Sequence, residues 1–168
     1  MPFGRRPRRE PLDYETLWQK ASRYCARQER AVGDVRRKLY EWGAPTADSD
    51  SIVAELYRLE FLDDRRYAHA FIRDKFHFNG WGRVRLRQEL RQKQLSEAVV
   101  EELLEEQPAE DTYRTKAEEI AREQWQKVLR KHPEAAPYEN RQRVGAFLQR
   151  RGFEPGIIYP LLEHLGNT

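Results

Sequence analysis

The residues best suited to chemistry lie between Gly80 and Leu95, in the stretch GWGRVRLRQELRQKQL. It carries Arg83, Arg85, Arg87, Arg91 and Lys93 against one acid, Glu89. Such a density of cations suits contact with phosphates or with an acidic protein surface. At about 100° per residue, Leu86 and Leu90 share one helix face, Arg83, Arg87 and Arg91 flank it, and Arg85 falls on the far side. Glu89 stands four residues from both Arg85 and Lys93, so a second reading is equally open: a packed helix whose cations pair locally and keep it soluble. Trp81, held between two glycines, is expected first as a packing anchor and second as a partner contact.

Other chemistry is missing. His69, His77, His132 and His164 have no metal-ligand spacing with one another or with Cys25. No phosphate-binding loop, dinucleotide fingerprint or nucleophile elbow is present. Asp63-Asp64 looks like a carboxylate pair, but a helix cap explains it. Trp18, Trp42 and Trp125 fall at helical spacing and are expected in the core. No catalytic residue, metal or cofactor is expected, and the chain is not read as an enzyme.

The elements that must position the cations are helices. The chain of 168 residues is 39% hydrophobic and 35% charged, which suits amphipathic helices with broad wet faces around a thin core. Its 31 basic and 28 acidic residues nearly cancel, so the distribution of charge matters more than its total. One cysteine fits a reducing cytoplasm, and no apolar run approaches the ~20 residues of a membrane span. Residues 1–11, rich in Arg and Pro, are expected to be a flexible basic arm rather than a secretory signal.

Helical periodicity predicts an all-α chain of nine helices. Gly43 followed by Pro45 should stop the second; Asp48 or Ser49 should cap the third. Asp63 should cap the fourth, with Leu62 and Tyr67 at the spacing of a hydrophobic staple. Ser96 should cap the sixth. The helices fall into threes: Val35/Leu39, Leu86/Leu90 and Val144/Leu148 are each followed by a turn, at Gly43-Ala44, Gln94-Leu95 and Gly152-Phe153. Each turn leads to a β-branched doublet and a leucine, as in Val99-Val100 with Leu103. The expected organisation is three tandem three-helix repeats, 12–62, 63–108 and 109–168, stacked into an elongated, curved array. The second helix of each repeat is basic, with Arg36, Arg37 and Lys38 in the first and Arg150 and Arg151 at the end of the third. The third helix tends to be acidic, so stacking in register would line up a discontinuous basic stripe.

Residues 61–97 carry a resemblance. FLDDRRY, then Gly80-Trp81-Gly82, then Arg87 through Leu95 resemble the signature of the RecX family, bacterial regulators of the RecA recombinase. Two departures stand out. Gln94 replaces the usual glycine, which requires a strained left-handed residue or another turn geometry, and Glu29-Arg30-Ala31 lacks the serine that caps the second helix. The resemblance implies an all-helical, non-catalytic, monomeric cytoplasmic protein of three three-helix units. It implies binding in the groove of the RecA–single-stranded DNA filament, suppressing ATPase, strand exchange and repressor cleavage, with weaker electrostatic contact to the DNA itself. The alternative is a free-standing helix-turn-helix-like DNA-binding regulator, although no compact set of base-reading residues is evident.

Overall fold

Asp13 opens the first helix by accepting a hydrogen bond from the Thr16 amide at 2.8 Å, which satisfies one of the N–H groups the first turn leaves unpaired. A computed structural model of the chain describes residues 10–166; only the last two residues of the expected N-terminal arm fall within them. Among the described residues there are nine α-helices and no strand: α1 (Tyr14–Arg27), α2 (Val32–Glu41), α3 (Thr46–Arg58), α4 (Asp64–Asn79), α5 (Arg83–Gln92), α6 (Glu97–Glu106), α7 (Glu110–Lys131), α8 (Pro137–Arg151) and α9 (Pro155–His164). The fold is therefore all-α, as expected. No helix is long and apolar enough to cross a membrane.

Local chemistry sets most boundaries. Asp63 caps α4 through the Arg66 amide at 2.8 Å, while buried Leu62 precedes it. Asp64 accepts a 2.6 Å hydrogen bond from the Tyr57 hydroxyl, so each member of the carboxylate pair has a structural partner. Ser96 occupies the N-cap position of α6 as expected and Ala31 that of α2, but neither helix has a side-chain cap hydrogen bond. The expected cap of α3 at Asp48 or Ser49 is corrected: the N-cap position is held by Pro45, whose ring sets φ at −59°, and the helix begins at Thr46. Asp48 instead sits in the first turn, where its charge favours the positive end of the helix.

The turn after the second helix of each triplet reverses through a left-handed residue: Gly43 at φ 80°, Gln94 at φ 60° and Gly152 at φ 93°. This backbone identity supports the triplet pattern read from the leucines and doublets. Gln94 takes the strained conformation rather than an alternative turn, at a cost of about 1 kcal/mol relative to glycine.

The chain divides into two compact units, one ending at Tyr67 and the other beginning at Ala68. In the first, α1, α2 and α3 pack on one another around Leu17, Ala21, Val35, Leu39, Ile52 and Leu56. Trp18 and Trp42 pack against this core from its edge. In the second, α5 packs on α6, burying Leu86, Leu90, Val100, Leu103 and Leu104, while α7, α8 and α9 pack mutually. Phe76 near the end of α4 joins the core of that last triplet and stacks on Tyr113 of α7 at 5.8 Å, with Phe153 beyond it at 5.3 Å.

Candidate partner-binding surface

Helix α5 begins without a side-chain cap, since Gly82 holds the N-cap position. Its orphan amides are satisfied from elsewhere in the second unit. The Gly82 amide donates to the Arg151 carbonyl at 2.7 Å, Val84 to the Gly152 carbonyl at 3.0 Å, and Arg83 to the Tyr113 hydroxyl at 3.0 Å. The start of α5 thus meets the end of α8, bringing the positive pole of one helix dipole to the negative pole of the other. The approach requires glycine on both sides. A Cβ on Gly82 would lie 2.4 Å from the Gly152 carbonyl carbon, and one on Gly152 would lie 2.4 Å from the Arg85 amide nitrogen.

Tyr113 is the hub beneath this contact. Its hydroxyl accepts from the Arg83 amide and donates to Glu154 Oε2 at 2.5 Å, and the Arg83 guanidinium lies 3.9 Å from its ring centroid. Burial and the Glu154 carboxylate push the Tyr113 phenol well above the usual tyrosine range. Arg83 also pairs with Glu110 at 2.9 Å and Glu154 at 3.8 Å, and only 18% of its side chain reaches solvent. Its Nε is buried without a hydrogen-bond acceptor.

The other cations of α5 divide into two groups. Arg87 grips Glu101 of α6 with two bonds, of 2.6 and 3.1 Å, and that bond holds the Glu101 carboxyl below the usual carboxylate range. Arg91 reaches Glu97 at 2.7 Å, although both side chains stay mostly in solvent. Arg85 takes no carboxylate among the described residues; it stacks 4.0 Å above the Trp81 ring. Trp81 in turn meets Phe71 edge-on at 6.1 Å and Lys75 at 5.1 Å, so it anchors packing and carries two cations at once. Lys93, just past α5, is half-buried and has interactions of its own.

The equivalent cations elsewhere show the same split. In the first unit Arg36 pairs with Asp50 of α3 at 2.8 Å, Arg37 with Asp34 at 3.3 Å and Lys38 with Glu41 at 3.1 Å. At the end of α8, Arg151 donates to the Asn79 carbonyl and lies 5.0 Å over the Phe147 ring, with no carboxylate, while Arg150 is exposed and unpaired among the described residues. Within the second unit the structure brings Arg83, Arg85 and Arg151 to the shared contact of α5 and α8. Sequence reasoning missed Tyr113, Glu154 and the role of Gly152. The paired glycines at the ends of two basic helices were the available signal. Among the described residues no three potential metal ligands cluster.

Comparisons with known proteins agree with this architecture. Residues 63–104 match the second three-helix domain of RecX, and residues 116–162 match the third. Similar proteins include the regulatory protein RecX of Trichlorobacter lovleyi, 30% identical over 85% of this chain and 91% of its own length. That of Pseudomonas savastanoi is 33% identical over 84% and 86%. Two solved structures share the fold: a regulatory protein RecX, with TM-score 0.78 and 22% identity over 89% of this chain and 71% of its own, and RecX from Lactobacillus salivarius, with TM-score 0.75 and 18% identity over 90% and 96%. The identity extends across both units and the signature around Gly80–Leu95, and the chain belongs to the RecX family of regulatory proteins.

Proposed function

We propose that this chain regulates the RecA recombinase by lying in the groove of its filament on single-stranded DNA, and that it lowers ATPase, strand exchange and repressor cleavage. Family membership supports RecA as the partner, and the sorting of its cations supports a binding rather than a catalytic role. Cations that hold the fold together are neutralised internally, as Arg83 and Arg87 are. Others remain able to meet an acidic protein surface or a phosphate: Arg85, Arg150, Arg151, and the solvent-facing Arg91 and Arg37 once their weak surface pairs open. Each of the three triplets contributes basic residues, in keeping with a protein that touches several protomers. The arrangement favours this reading over a free-standing duplex binder, because two of the three arginines flanking the α5 leucines, Arg83 and Arg87, are spent on Glu110 and Glu101.

The test is the DNA-dependent ATPase of the cognate RecA, measured with and without the full chain. A several-fold drop near stoichiometric amounts is expected, whereas unchanged turnover would overturn the proposal. Reversing Arg150 and Arg91 to glutamate should weaken inhibition at unchanged helicity. If inhibition persists in full, the contact surface lies elsewhere.

A further inference from the structure

The strongest unassigned feature lies where the end of α4 passes over α7 and α8 in the second unit. A groove of about 190 Å³ opens there, lined by Phe78, Gly80, Ile120, Phe147, two lysines of α7 and Arg151. Ile120 and Phe147 give it an apolar patch within a lining that is otherwise mostly polar. Gly80, at φ 62°, lets the chain turn tightly over Ile120; a Cβ there would sit 2.8 Å from Ile120 Cδ1. At the rim Phe78 is 85% exposed, an unusual placement for a phenylalanine beside a well-packed core.

The charge around the groove is equally particular. Lys116, Ile120, Glu123 and Lys127 follow one another at intervals of four, three and four along α7, so they form a single stripe facing the groove. Lys116 and Lys127 have no ion pair among the described residues, although α7 is rich in acids. Arg151 completes the rim, held by the Asn79 carbonyl and the Phe147 ring instead of a carboxylate.

We propose that this groove docks an acidic peptide segment that places one large apolar side chain on Ile120 and Phe147, beside Phe78, with its carboxylates on Lys116, Lys127 and Arg151. Resting on the reading above, the segment belongs to the recombinase of the filament. Three features select a peptide. The volume falls below the roughly 300 Å³ at which small-molecule sites begin, but suits one side chain. Three cations around an apolar patch complement an acidic chain with an apolar anchor. Glu123 and Gln124 in the lining can accept hydrogen bonds from peptide amides, donors that a phosphodiester backbone does not offer.

Photocrosslinking in the assembled filament tests this, with Phe78→p-benzoylphenylalanine in the full chain and oligo(dT) as the DNA. Protein adducts are expected, mapping to a segment with more Asp and Glu than Lys and Arg. The added pair Lys116→Glu and Lys127→Glu should cut their yield at least fivefold without changing the circular dichroism. Adducts to DNA, adducts to a non-acidic segment, no adduct, or a yield insensitive to the charge reversal would each overturn the proposal. If the wild-type chain slows the ATPase yet the probe finds no acidic segment, the groove assignment fails and the filament reading stands. If the ATPase is unchanged, the filament reading fails. The groove is then judged by titrating the chain with the peptide Asp-Glu-Asp-Leu-Glu-Asp: shifts of the Gly80 and Ile120 resonances at least tenfold stronger than with its Leu-to-Ser counterpart or with oligo(dT) support it, and equal shifts overturn it.

Discussion

Two faces of the second unit carry similar numbers of cations and behave in opposite ways. On α5, Arg83, Arg87 and Arg91 each find a glutamate contributed by α6, α7 or the start of α9. At the groove beside α4, α7 and α8, Lys116, Lys127 and Arg151 find none among the described residues, and Arg151 is oriented by a ring and a carbonyl. The density of basic residues along the sequence therefore marks the better neutralised face. What distinguishes a binding surface is the charge that the fold leaves over.

Substitutions can break this contrast, in descending order of effect. Gly82→Ala should be the most damaging, at about 3 kcal/mol in thermal or denaturant unfolding, because its Cβ meets backbone that cannot rotate away. Next, Arg83→Met should cost about 2 kcal/mol, since it removes the cation that pairs with Glu110 and the partly buried Glu154 and strips the Tyr113 ring. A double-mutant cycle on Arg87→Ala and Glu101→Ala should return a coupling of only about 0.5 kcal/mol at neutral pH. Because Arg87 holds the folded Glu101 pKa below the usual value near 4.5, this coupling is fully present above that value. It should vanish as pH falls through the depressed folded pKa. Gln94→Gly, at the far end of α5, should stabilise the chain by about 0.5 kcal/mol by relieving its left-handed backbone. Lys127→Glu, at the unneutralised face, should move stability by less than about 0.5 kcal/mol. A large loss there would show that Lys127 supports the fold and does not belong with the leftover charge.

Much of the fold was legible in the chain because helical periodicity reports which side of a helix turns inward. Leu86, Leu90, Val144 and Leu148 are fully buried where the spacing placed them. The Asp63 cap was likewise readable from local residue types, whereas the left-handed Gln94 was one of two alternatives raised by its departure from the RecX signature. Periodicity is silent about which helix lies opposite. It put Arg87 on a flank but could not place Glu101 across from it, fourteen residues on. Nor could it show that the start of α5 faces the end of α8, because that contact is made by backbone atoms of residues with no side chain to leave a pattern. The cap of α3 was misplaced by three or four residues for a simpler reason: Asp48 is as favourable in a first turn as at a cap.

The contact between Gly82 and Gly152 also constrains how such a chain can vary. In a side-chain core an oversized substitution can be offset by trimming its neighbour, so packing drifts by small reciprocal steps. Here the neighbour is a carbonyl on one side and an amide on the other, which no codon can shorten. The two positions are therefore locked jointly: neither has a single-step route away from glycine, and no second change rescues the first.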